Sequence, residues 1–165
     1  DGSGYKGYIG SSAILYRDGQ EESAIRYRLG SEEHHEVYEG ECIGMILGLH
    51  LTRAQESVTA VSIWADNTAA ITATDTSKTG PSHYILDIFH HTLTALRAQH
   101  PDATVTISWI PGHVGAEGNE QADEEAKKAA SGRSSRKERL PPQLQRPLPH
   151  SQTAAIQTFR RKLEE

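Results

Sequence analysis

The 165-residue sequence predicts an α/β fold: a mixed five-stranded sheet flanked by helices, with its first strand truncated at the N-terminus. Three observations carry that prediction. The first thirty residues alternate apolar and polar side chains around two glycine-containing turns. An almost wholly apolar helical stretch follows them. From there to Ala130, strand and helix patterns take turns. A meander followed by alternating elements gives a mixed sheet with helices on its faces.

Taken in order, Asp1–Gly10 reads DGSGYKGYIG. Gly2, Gly4 and Gly7 match the dinucleotide fingerprint GxGxxG, but that fingerprint has meaning only between a strand and a helix. Here the strand-like Ser11–Tyr16 follows, so a glycine-rich turn joining two antiparallel strands fits better. Asp18–Gly19 is a second hairpin signal. After it Ile25, Tyr27 and Leu29 alternate with Ala24, Arg26 and Arg28, the pattern of a half-buried strand. Between residues 34 and 56 the period changes. Val37, Glu41, Met45 and Gly48 share one helical face, and Ile43, Ile46, Leu47 and Leu49 make the helix apolar nearly all round, so it is buried on more than one side. Val58–Ala65 is a short strand ending in Asp66–Asn67, and Thr68–Thr74 a short helix. Ser82 caps a helix reaching Gln99, with Ile85, Ile88, Phe89, Leu93 and Leu96 as its buried stripe. Val105, Ile107 and Trp109 mark the last strand. A glycine-rich loop carrying His113 then leads to a helix that opens at Asn119, a good N-cap, and holds Asp123 in its second turn.

The sequence divides into one domain over residues 1–130 and a tail over 131–165. The tail is polar, basic and proline-rich without apolar periodicity, and reads as linker or disorder. It ends in a weak amphipathic helix on Ile156, Phe159 and Leu163.

Composition narrows the function. Formal net charge is −5, whereas a domain that holds nucleic acid by electrostatics alone is normally basic. A nucleic-acid partner would require that acidity to be offset locally, which bound divalent cations can do. The single cysteine, Cys42, excludes an internal disulfide and a thiolate zinc cluster. The pairs His34–His35 and His90–His91 lack partner pairs at zinc-finger spacing. No apolar run approaches the ~20 residues needed to span a bilayer, and no signal-peptide pattern opens the sequence. A soluble protein of the cytoplasm or nucleus is expected.

Four carboxylates stand out. Glu41 lies inside the apolar helical run, where an ionised group is costly unless paired or bound to metal; otherwise it sits solvated at the helix rim. Asp66 ends a strand and leads into a helix, the place where open α/β sheets hold their ligands; a plain helix N-cap is the competing account. Asp123 stands near a helix start, where negative charge suits the helix dipole whatever its function. Asp1 begins the first strand. If the first and fourth strands are neighbours, Asp1 and Asp66 lie side by side, Glu41 crosses over both, and Asp123 closes the group. Four carboxylates without a cation would repel. Oxygen-only ligation suits Mg²⁺ or Mn²⁺, and two such ions ~3.5–4 Å apart can clamp the attacking water and leaving oxygen of a phosphodiester. Glycosidase chemistry needs only two carboxylates and no metal.

DGS at Asp1, the helix carrying Glu41, Ala65–Asp66 and above all WIPGHVGAEGNEQADEEAK resemble type 1 ribonuclease H domains, with wording similar to those of retrotransposon reverse-transcriptase polyproteins. The resemblance spans about Asp1 to Ala130. It implies a ribonuclease H-like fold and a metal-dependent endonuclease that cuts the RNA strand of RNA–DNA hybrids by a two-metal mechanism, leaving 3′-hydroxyl and 5′-phosphate ends. It further implies that Asp1, Glu41, Asp66 and Asp123 ligate two Mg²⁺ ions, for which Mn²⁺ can substitute. His113 would assist proton transfer or product release, and Gly2, Ser3 and Asn67 would face the substrate. Other domains of a parent polyprotein are implied as partners, and no membrane is. The alternative is a degenerate RNase H-like binding or spacer module without activity.

Overall fold

A computed structural model describes residues 1–75, 83–111 and 117–164. Three strands open it: β1 (Gly2–Tyr5), β2 (Tyr8–Arg17) and β3 (Gln20–Ser31). They form an antiparallel meander in which Gly2 stands opposite Ser11 and Tyr5 opposite Tyr8, while β2 runs alongside the whole of β3. The Asp18–Gly19 turn has positive φ at both residues, 53° and 79°, as a two-residue hairpin matched to strand twist requires.

The chain continues as α1 (Val37–Arg53), β4 (Ala60–Ala65), α2 (Thr68–Thr74), α3 (His83–Gln99), β5 (Thr104–Trp109) and α4 (Glu117–Ala130). The kinds and order of elements follow the sequence pattern, and α2 agrees with it residue for residue. Helix α1 is the axis of the core. Ile43, Ile46, Leu47 and Leu49 are fully buried, because β1 and β2 lie on one side of the helix and α3 on another. The α3 residues Ile85, Phe89 and Leu96 close that second side.

Three expectations need correction. The sheet is not one continuous five-stranded layer: β1–β2–β3 form one sheet, and β4 and β5 pair in parallel as another. The reason is the reach of β1, whose four residues all lie opposite Tyr8–Ser11. None of them extends to where β4 passes, beside Ala13–Tyr16 of β2. Second, α4 opens at Glu117 rather than Asn119, so Asn119 is inside the first turn and not its cap.

Third, the tail is not a solvated linker. Ser135 donates its backbone N–H to the Arg26 carbonyl (2.9 Å) and accepts from the Arg26 N–H at its hydroxyl (2.9 Å), along the outer edge of β3. Leu140, Leu144 and Leu148 then enter the core. They are spaced by four through two 3₁₀ turns, Lys137–Arg139 and Pro142–Leu144, a pattern with neither strand nor α-helical period. A final helix, α5 (Gln152–Glu164), buries Ala154 but leaves Ile156, Phe159 and Leu163 more than half exposed. Among the described residues no helix is long and apolar enough to cross a membrane.

Candidate metal centre

Three elements deliver one carboxylate each to a common point. Asp1 immediately precedes β1, Glu41 lies in the first two turns of α1, and Asp66 follows the last residue of β4. One oxygen from each of Asp1, Glu41 and Asp66 lies within 4.8 Å of the others. The convergence depends on how closely β1 approaches α1. A methyl group added at Gly2 would overlap the backbone of Gly40 and Glu41, so only glycine lets strand and helix meet there. Ser11 locks the contact, donating its hydroxyl to the Gly40 carbonyl at 2.6 Å.

Asp1 is fixed by a ladder step on β2. Its α-ammonium donates to the Ser12 carbonyl at 2.7 Å, and its own carbonyl accepts from the Ser12 N–H at 2.9 Å. Asp66 is free of the capping duty that competed for it, because Asn67 caps α2 and accepts from the Ala70 N–H at 2.9 Å. Instead, the Asp66 backbone carbonyl accepts from the Trp109 indole at 3.2 Å, tying the end of β4 to the end of β5.

Glu41 is 6 % exposed, which rejects the solvated-rim account. Burial pushes its carboxyl up to about 7; the neighbouring α-ammonium opposes the rise and the Asp66 charge adds to it. Its Oε2 and the Oδ2 of Asp1 are buried without hydrogen-bond partners. Two orphan carboxylate oxygens beside a third carboxylate carry a strong electrostatic penalty unless a cation joins them. The all-oxygen donor set fits a hard divalent ion such as Mg²⁺ and does not suit zinc or copper.

Asp123 stands apart from this trio. It is close enough for its charge to act on the Asp1 ammonium, but its carboxylate pairs with Lys127 at 2.8 Å, one turn along α4. The sequence carried that signal as an i,i+4 acid–base pair. It also carried Ser12, which donates its hydroxyl to the Ala122 carbonyl and so pins α4 to β2 next to Asp123; a serine pair inside a buried strand was the cue. Gly2 and Ser3, expected to face substrate, are buried under α1, and of the three substrate candidates Asn67 is the partly exposed one. His113 lies outside the described residues. Cys42 is buried beside Tyr38 and Glu41, and burial pushes its thiol up to about 12, which leaves it unreactive.

A search of curated proteins finds no match. A scan against protein families matches RNase H over residues 1–131, from the aspartate at the trio to the end of α4. That span takes in Asp1, Glu41, Asp66 and Asp123 and stops where the tail begins; the chain belongs to the RNase H family, whose activity is nucleic-acid hydrolysis.

Proposed function

We propose that this protein is a divalent-metal-dependent endonuclease that hydrolyses the RNA strand of RNA–DNA hybrids, giving 3′-hydroxyl and 5′-phosphate ends. The observation that supports it best is the Asp1–Glu41–Asp66 trio with two orphan buried oxygens, in a chain of the RNase H family. Asp1, Glu41 and Asp66 would hold a first Mg²⁺ or Mn²⁺. Asp123, once released from Lys127, would help hold a second. When bound, such ions lower the pKa of a coordinated water and neutralise charge on the phosphodiester.

The chain's own part is to place ligands and limit water. Gly2 and Ser11 fix the distance between β1 and α1, and Trp109 holds the strand end that carries Asp66. Asn67 would touch the hybrid from the start of α2. His113 would move a proton, or help product leave, from the loop before α4. The net charge of −5 fits this scheme, because bound cations supply the local positive field for a polyanionic substrate. Further domains of a retroelement polyprotein would be the natural partners of such a module.

One observation favours the inactive-module alternative: Asp123 is paired with Lys127 rather than gathered with the trio. Incubation with labelled hybrid, duplex DNA and duplex RNA, with Mg²⁺ or with chelator, separates the two. Metal-dependent cutting of the hybrid's RNA strand alone supports the nuclease. Failure of a folded protein to cut any of them supports the inactive module.

A further inference from the structure

A cleft of about 640 Å³ separates the two sheets, lined on one side by Ala13, Ile14, Leu15 and Tyr16 of β2 and on the other by Ala60–Asp66. We infer that this cleft is a strand-binding slot, and that its occupant is a segment of the same polypeptide joined to the α-amino nitrogen of Asp1, which completes a single sheet across β2 and β4. The slot is a property of the backbone and does not depend on the nuclease proposal.

Hydrogen-bond parity comes first. Ser12 exchanges both backbone bonds with Asp1, so its polar groups face β1. Two residues on, Ile14 directs its N–H and C=O the same way, into the cleft. On the other wall, the carbonyls of Thr59 and Ala65 accept from Thr104 and Ile110. Odd-numbered residues of β4 therefore serve β5, and Ser62 and Trp64 direct their backbone groups into the cleft. Two facing edges with unmet donors and acceptors are a template for one more strand.

Direction and length follow. Asp1 lies beside Asp66, at the carboxyl end of β4, so a strand arriving at Asp1 runs antiparallel to β2 and parallel to β4. The six residues of β4 offer about 20 Å of edge at ~3.3 Å per residue. The residue joined to Asp1 would pair with Ala13 and face Gly48 of α1, whose own added Cβ would sit 3.9 Å from the Ala13 Cβ. The residue before it would face Gly118, Asn119 and Ala122 of α4, which line the opposite side. With helices on both faces, the strand must be apolar on both, a valine- or isoleucine-rich run and not an alternating one.

The test compares three samples of the full chain: one extended at Asp1 by five valine and isoleucine residues, one extended by five glycine and serine residues, and the unextended chain with the apolar peptide added free. Amide hydrogen exchange at Ile14, Ser62 and Trp64 is read without metal or nucleic acid, so its outcome does not depend on catalysis. Slowing by at least about tenfold at these three amides in the apolar extension alone, with Ile25 of β3 unchanged as an internal control, is the expected result. Equal exchange in both extended chains overturns the slot, and equal protection by the free peptide overturns the covalent occupant in favour of a separate partner.

Discussion

The meander β1–β2–β3 and the pair β4–β5 hold the same active-site cluster by different means. The meander presses its backbone against α1 through Gly2 and closes every step from Asp1 to Tyr5 with β2. The pair has a regular parallel ladder of its own, but toward the meander it offers an open edge across a cleft. Glu41 and Asp1 are thus set by close packing, whereas Asp66 is set by the strand end and one indole hydrogen bond. The trio straddles the seam between a tightly joined half and a loosely joined one. A cation at the seam would do what the backbone does not, and link the halves.

The largest effect expected is on catalysis. Asp66→Asn removes the loosely held half's only contribution to the trio and should cut hybrid cleavage by more than about a hundredfold, since even outer-shell changes at metal sites cost 10–100-fold. Labelled-hybrid assays in Mg²⁺ check it, and near-normal cleavage by D66N would remove Asp66 from the metal set.

Next is the pH dependence that follows from Glu41. Its folded-state value is raised to about 7 from an ordinary 4.5, chiefly by burial. Between those values the folded state binds more protons than the unfolded chain, so stability falls as pH rises across the window and is greatest below it. A tenfold change in proton affinity is worth about 1.4 kcal/mol, which bounds the full loss at about 3 kcal/mol. Denaturant unfolding of metal-free protein from pH 4.5 to 8 measures it. Glu41→Gln should flatten the profile, and saturating Mg²⁺ should restore stability above pH 7.

Packing on the tight side comes third. Gly2→Ala inserts a methyl into the Gly40–Glu41 backbone and should cost about 1–3 kcal/mol. Ser62→Ala, on the open edge of β4, should change stability by no more than about 0.5 kcal/mol. Denaturant unfolding of the two variants checks both, and comparable losses would mean that the seam is as closely packed as the meander.

Much of this was legible in the residues. Period-two alternation, the Asp-Gly turn and the apolar face around Glu41 each give an element of the right kind in the right place, because each is a local pattern with a local cause. The convergence of Asp1, Glu41 and Asp66 was legible too, since strand ends and a crossover helix meet at one sheet edge. What was not legible is contact at a distance. Leu140, Leu144 and Leu148 follow no helix or strand period, so only the surface they cover identifies them as core. The division of the sheet depends on how far β1 reaches along β2, a matter of register that composition does not record. Asp123 looked like a fourth ligand from its position, while its partner Lys127 was in view four residues on and was given no weight.

That pair supplies the smallest effect and the sharpest test of how α4 joins the cluster. Asp123 and Lys127 are both well exposed, so their attraction is screened and contributes below about 1 kcal/mol to stability. Lys127→Ala should therefore leave unfolding nearly unchanged. It should, however, free the Asp123 carboxylate, and calorimetric titration with Mg²⁺ should show tighter binding by up to about fivefold, the equivalent of that same 1 kcal/mol. Asp123→Asn should weaken binding and abolish the gain from Lys127→Ala in the double variant. If Lys127→Ala tightens binding even with asparagine at 123, the lysine acts by long-range repulsion alone, and Asp123 is a helix-surface residue and not a ligand.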